Sequence, residues 1–132
     1  VAELGRSGVR VSLFIEPEAD ALEAAVALGA PVVELHTGAW CHAVEISEAA
    51  RAESEFERLR VAARTAGRLG LECHAGHGLD FDTARRIAGL PEIVELNIGH
   101  FLIGEAIFAG LAESVRLMRK AMDEGRAAAE GA

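Results

Sequence analysis

Four of the five histidines stand where short apolar runs give way to glycine. They are His36 in His36-Thr37-Gly38, His74 and His77 in Cys73-His74-Ala75-Gly76-His77-Gly78-Leu79-Asp80, and His100 in Asn97-Ile98-Gly99-His100. An imidazole titrates near neutral pH, so it can give or take a proton in a reaction. His77 lies between two glycines, which let the backbone turn sharply and let a substrate approach. Gly99-His100 opens a helical segment after an apolar run, where backbone amides and the helix dipole can hold a phosphate. A bare helix start would give the same dipeptide. The pair His74-x-x-His77 has a spacing that joins two metal ligands on a helix; here it crosses from strand into loop, and no metal is expected.

These residues need elements to present them. Residues 9–15 and 32–36 are short, β-branched and apolar, as buried strands are. Two further strands are expected at 71–75 and 93–98. Glu16-Pro17-Glu18 reads as a helix start with Pro at the first helical position, and Gly29 as its stop. Residues 39–46, with Trp40, Cys41 and His42, read as a loop. Ser47 reads as the N-cap of a helix running to Leu69, and a short helix is expected over 82–88. A small apolar segment follows His100, then a helix carrying Leu111, Val115, Met118 and Met122 at helical spacing. The tail, 125–132, is expected to fray.

Strands alternating with helices mean a parallel sheet with right-handed crossovers. The units echo one another: Val32-Val33-Glu34-Leu35-His36 returns as Ile93-Val94-Glu95-Leu96-Asn97. Such repetition favours a (β/α)8 barrel, in which the functional loops follow the carboxyl ends of the strands. The fold class is therefore α/β, one domain over 1–132, with four βα units. A full barrel needs eight units and about 250 residues. On the second strand Glu34 and His36 share a face, opposite Val33 and Leu35. The apolar pair suits the helix layer, which turns Glu34 to the barrel interior, where a carboxylate must be paired, hydrogen-bonded or used.

The chain's net charge of −8 argues against a nucleic-acid or anionic membrane partner. An anionic substrate must then be held by local devices such as helix N-termini. Cys41 and Cys73 form no metal-type pair and read as free thiols of a reducing cytoplasm. No apolar run approaches the roughly 18 residues that span a bilayer.

Four stretches occur in order and at suitable spacing: Val11-Ser12-Leu13-Phe14-Ile15, Val33-Glu34-Leu35-His36-Thr37-Gly38, Ala75-Gly76-His77-Gly78-Leu79 and Glu95-Leu96-Asn97-Ile98-Gly99-His100. Together they resemble the C-terminal half of the pyridoxine 5′-phosphate synthase family of vitamin B6 biosynthesis. The resemblance implies the second half of a (β/α)8 barrel. It also implies condensation of 1-deoxy-D-xylulose 5-phosphate with 3-amino-2-oxopropyl phosphate, giving pyridoxine 5′-phosphate, phosphate and water without metal or organic cofactor. It makes His77 the proton donor and Glu34 the transition-state stabiliser. It assigns Gly78, Gly99 and His100 to the amino-ketone phosphate, and it implies a homo-oligomer acting on phosphorylated small molecules. Two positions depart from the family: His74 stands where Asn is usual, and Trp40 where Tyr is usual.

The family's other general bases lie in an N-terminal half with no counterpart here. The chain opens on Val1, so a fragment of a longer polypeptide is expected, inactive alone, lacking its N-terminal half-barrel. Two other readings stand beside this one. One is a metal-dependent barrel hydrolase or aldolase using His36, His74, His77 and His100; the other is a non-catalytic half-barrel that assembles with a copy of itself.

Overall fold

The computed structural model describes residues 1–131. A short helix α1 (Ala2–Arg6) leads into β1 (Ser12–Ile15), α2 (Ala19–Ala27), β2 (Val32–His36), α3 (Gly38–Glu45), α4 (Ala49–Arg68) and β3 (Glu72–Gly76). Then come α5 (Phe81–Ala88), β4 (Ile93–Asn97), α6 (His100–Ala109) and α7 (Leu111–Glu130). The four strands are parallel and lie in the order β1-β2-β3-β4. Successive right-handed crossovers between neighbouring parallel strands all pass over the same face. Sequential order therefore puts the helices on one side, as in a barrel, and not on two, as in a doubly wound sheet.

The side chains sort accordingly. Val33, Leu35, Cys73 and Ala75 are buried, with Leu22 and Ala25 of α2, Leu59, Ala62, Ala63 and Ala66 of α4, and Ile87 of α5 in the same core. Small residues let α4 come close to the sheet. The opposite face carries Phe14, Glu34, His36, His74, Glu95 and Asn97. Phe14 there is 55 % exposed, because no helix covers that side.

Between β3 and β4 the register slips: Cys73 pairs with Ile93, but His74 pairs with Glu95. Val94 is the extra residue of this bulge, which reverses the alternation of β4. Ile93 can thus be buried while Glu95 and Asn97 face the open side. In an unbroken strand Ile93, Glu95 and Asn97 would share one face.

The structure corrects several local expectations. β1 starts at Ser12 and is half exposed, since it is an edge strand and the sheet's open side is bare. Pro17 precedes α2: Glu18, in extended conformation, is the N-cap, and Glu16 is held away from the helix by His36 and Arg58. Residues 38–45 form α3 where a loop was expected, because Trp40, Cys41 and Ala43 bury one side of it against α4. Tertiary burial outweighs weak helix propensity there. Ser47 caps nothing, having φ +60°, and α4 begins after Glu48. α7 runs past Gly125 to Glu130; position 132 of the expected frayed tail lies outside the described residues. Arg126 donates to the carbonyls of Leu90 (3.0 Å) and Ile93 (2.6 Å), fastening α7 to the start of β4.

Gly125 lets α7 press against the backbone of α5: a Cβ there would overlap the Arg85 carbonyl oxygen. The obstacle is helical backbone, which cannot rotate aside. Gly125→Ala is expected to destabilise the fold by about 1–3 kcal/mol, read as a lower urea midpoint at unchanged helical circular dichroism. An unchanged midpoint would mean that α5 and α7 separate freely.

Candidate functional site

The carboxyl ends of β2, β3 and β4 converge on one cleft of about 640 Å³. Its lining includes Phe14, Glu34, His77, Gly78, Asn97, Gly99 and His100, so all five residues singled out from sequence reach it. His77 and Gly78 follow β3 with φ of +79° and +81°, two left-handed residues in succession. Glycine adopts this readily; for histidine it costs about 1–3 kcal/mol, which the surroundings must offset. After the turn Leu79 is buried, and Asp80 and Thr83 form a reciprocal capping box (2.8 Å each way) that starts α5.

Glu34 leans across β3 to reach β4. Its Oε2 accepts from Asn97 Nδ2 at 2.9 Å, and its Oε1 lies over Gly76, where any Cβ would overlap it. The bulge in β4 supplies this partner by turning Asn97 to the open side. Glu34 is thus a partly buried carboxylate held by one neutral donor, facing the cleft.

The His77 ring packs 4.7 Å from that of His36 and 6.3 Å from Phe14; Phe14 meets His36 edge-on at 5.0 Å. His36 Nδ1 lies 2.9 Å from Glu16 Oε1, and Glu16 Oε2 accepts from Arg58 at 3.1 Å. A carboxylate bound to one ring nitrogen orients an imidazole, so His36 forms a fixed wall for His77. On the far side Gly99 is the N-cap residue of α6 and His100 its first helical residue, with no side chain capping the helix. The first-turn amides of such a helix lack intrahelical partners and carry the positive end of its dipole, which suits an anion.

His74 does not join His77. It is 5 % exposed, with Nε2 2.7 Å from Glu72 and Nδ1 3.3 Å from Glu95, and Glu72 pairs with Arg10. The Arg10 guanidinium, and then His74, hold the Glu72 carboxyl below its usual range. These groups form a strut across the open side of β3 and β4. Both ring nitrogens of His74 are occupied by carboxylates, and among the described residues no three His, Cys, Asp or Glu side chains gather as metal ligands.

Sequence reasoning gave Thr37 and Glu16 no place in the site; it set Asn97 on the interior face with Glu95, repeating Glu34 and His36, without naming it as the partner of Glu34. Asn97 and Glu34 sit at unlike depths in their repeats, and only the bulge brings them together. Thr37 carries a detectable signal: a threonine between a strand end and a glycine, next to a histidine.

Both thiols are free and buried. Burial, then the nearby Glu92 carboxylate, pushes Cys73 from an ordinary 9.0 up to about 12, and burial raises Cys41 too. A thiol whose folded-state value is raised stabilises the fold below the unfolded value and ceases to do so as pH climbs past it. Stability is expected to decline between pH 9 and about 12, and Cys73→Ala is expected to flatten that decline. Urea titrations at stepped pH measure both; an equal slope in the variant would assign the decline to other groups.

A sheet of four sequential parallel βα units, with histidines, glycines and an uncapped helix start at its carboxyl end, defines half of a (β/α)8 barrel. The chain belongs to the PdxJ family, pyridoxal phosphate biosynthesis protein PdxJ, whose model matches residues 1–124. It is 59 % identical over 128 residues to the pyridoxine 5′-phosphate synthase of Xanthobacter autotrophicus, covering 97 % of this chain and 50 % of that one. The synthase of Rhodospirillum rubrum is 62 % identical over 123 residues, covering 93 % of this chain and 48 % of the relative. That of a Bradyrhizobium strain is 55 % identical over 132 residues, covering 100 % and 52 %. The chain spans about half the length of these relatives. None of the described helices is long and apolar enough to cross a membrane.

Proposed function

We propose that this chain supplies the C-terminal half of the active site of a pyridoxine 5′-phosphate synthase. The reaction is the condensation of 1-deoxy-D-xylulose 5-phosphate with 3-amino-2-oxopropyl phosphate to pyridoxine 5′-phosphate, phosphate and water. The observation that carries the reading is one cleft bounded by His77, by Glu34 and by the start of α6. The start of α6, with Gly99 and His100, binds the phosphate of the amino-ketone together with the backbone at Gly78, and so aims its reacting end at His77. His77 delivers a proton as imine formation and elimination proceed. Glu34, facing the same space, offsets cationic imine character as it develops.

The remaining bases come from a complementary N-terminal half-barrel, and this chain alone is inactive. The bare face carrying Phe14 and Glu34 and the two sheet edges at β1 and β4 are what such a half would cover. Ile103, Ile107 and Phe108 of α6 are exposed apolar residues and give further copies a surface to meet. Two buried free thiols fit a cytoplasmic setting.

The test is to join this chain in frame behind the N-terminal half of the Rhodospirillum rubrum relative and to assay both substrates for product and released phosphate. Product from the joined protein, with none from the chain alone, is the expected result. A folded joined protein that makes no product, while the intact relative does, would overturn the assignment. Turnover by the chain alone would overturn its dependence on a second half.

A further inference from the structure

Thr37 is fully buried at the junction of β2 and α3, where its hydroxyl cannot touch a substrate in the cleft. It is the N-cap residue of α3. A threonine in that place ordinarily turns its oxygen to the first amides of its own helix. Here no such bond forms. Instead Oγ1 lies 2.6 Å from the carbonyl of His77 and 2.8 Å from that of Gly76, while the Thr37 amide donates to Gly76 at 2.9 Å. One helical turn on, the Cys41 thiol donates to Oγ1 at 3.8 Å. With its accepting side so engaged, the single hydroxyl proton is directed to the loop.

The loop is seated on α3 by shape as well. A Cβ at Gly78 would come 3.1 Å from that of Cys41, and a Cβ at Gly38 would come 2.9 Å from both His36 Nε2 and His77 Cδ2. The start of α3 is thus a saddle under a turn whose left-handed histidine does not hold its shape unaided.

We infer that the Thr37 hydroxyl is a positioning group that fixes the His77–Gly78 turn and thereby aims the His77 imidazole into the cleft. This rests on the reading of His77 as proton donor given above. Thr37→Val keeps the side-chain shape and removes the donor to the His77 carbonyl; Thr37→Ser keeps the donor.

Two measurements test it. In the joined two-half protein, Thr37→Val is expected to lower kcat by about 10- to 100-fold with KM close to the unsubstituted value, because the imidazole is misplaced while the phosphate cradle is intact. Thr37→Ser is expected to restore kcat. In the present chain, Thr37→Val is expected to speed hydrogen exchange at the amides of residues 77–79 and leave those of α4 unchanged. Wild-type kcat in the Val variant overturns the inference, as does unchanged exchange in the loop. If the unsubstituted joined protein makes no product, the functional reading falls, and exchange alone then decides whether Thr37 holds the turn. Should the Val variant not fold, Thr37→Ala, which removes the donor with less bulk, is read in the same two ways.

Discussion

Replacing His77 with asparagine is expected to lower kcat of the joined protein by about 100- to 10,000-fold, the range that a positioned general acid contributes, with little change in KM. Asparagine is the informative choice because of the backbone. Position 77 has φ +79°, and Asn tolerates the left-handed region better than most side chains. The turn and the Gly78 amide then stay in place while the titrating ring is lost. Alanine would remove the ring and also strain the turn, so its effect would mix chemistry with geometry. Product formation under saturating substrates gives kcat, and the substrate dependence gives KM. A protein that kept wild-type kcat would remove His77 from the proton transfer. A raised KM at unchanged kcat would make His77 a binding residue instead.

Gly76→Ala is expected to have the other large effect, on stability and turnover together. The added methyl would overlap Glu34 Oε1 and stand 2.9 Å from the Asn97 carbonyl oxygen. Glu34 can swing away only by giving up its bond from Asn97. The carbonyl belongs to a paired strand, and Gly76 is itself tied to Thr37, so neither backbone moves cheaply. Overpacking of this kind costs about 1–3 kcal/mol, visible in the urea midpoint. Displacement of the carboxylate should lower kcat by about 100-fold, the scale of a misplaced catalytic group. A double-mutant cycle separates the two obstacles. In a Glu34→Ala background the carboxylate obstacle is gone and the Asn97 carbonyl remains, so the stability cost of Gly76→Ala should shrink. An equal cost in both backgrounds would place the strain in the backbone and not at Glu34.

These effects follow from different levels of the molecule. The positions of His77, Gly78, Gly99 and His100 at strand ends were legible in the chain, because a buried parallel strand is a short apolar run and its exit is marked by glycine. The sorting of Glu34 from Val33 and Leu35 was legible too, through the two-residue period of a strand. The depth of the Glu34 carboxylate and the identity of its partner were not. They depend on the bulge at Val94, and nothing in Ile93-Val94-Glu95-Leu96-Asn97 announces that an unbroken alternation will be broken.

The same division holds for the elements. Sequence patterning by itself determined the order of strands and helices, the parallel sheet and the end of that sheet where chemistry gathers. Those features rest on local periodicity and on the handedness of βα connections, which act within one or two turns of chain. Tertiary structure decided that residues 38–45 are a helix, that the tail stays helical past Gly125, that His74 belongs to a carboxylate strut, and that the Thr37 hydroxyl serves the His77 loop and not its own helix. Each depends on a group distant in sequence: α4 under Trp40, the Arg85 backbone beside Gly125, Glu95 across from His74, and the His77 carbonyl above Thr37. A local pattern records what a residue prefers; these contacts set which preference prevails.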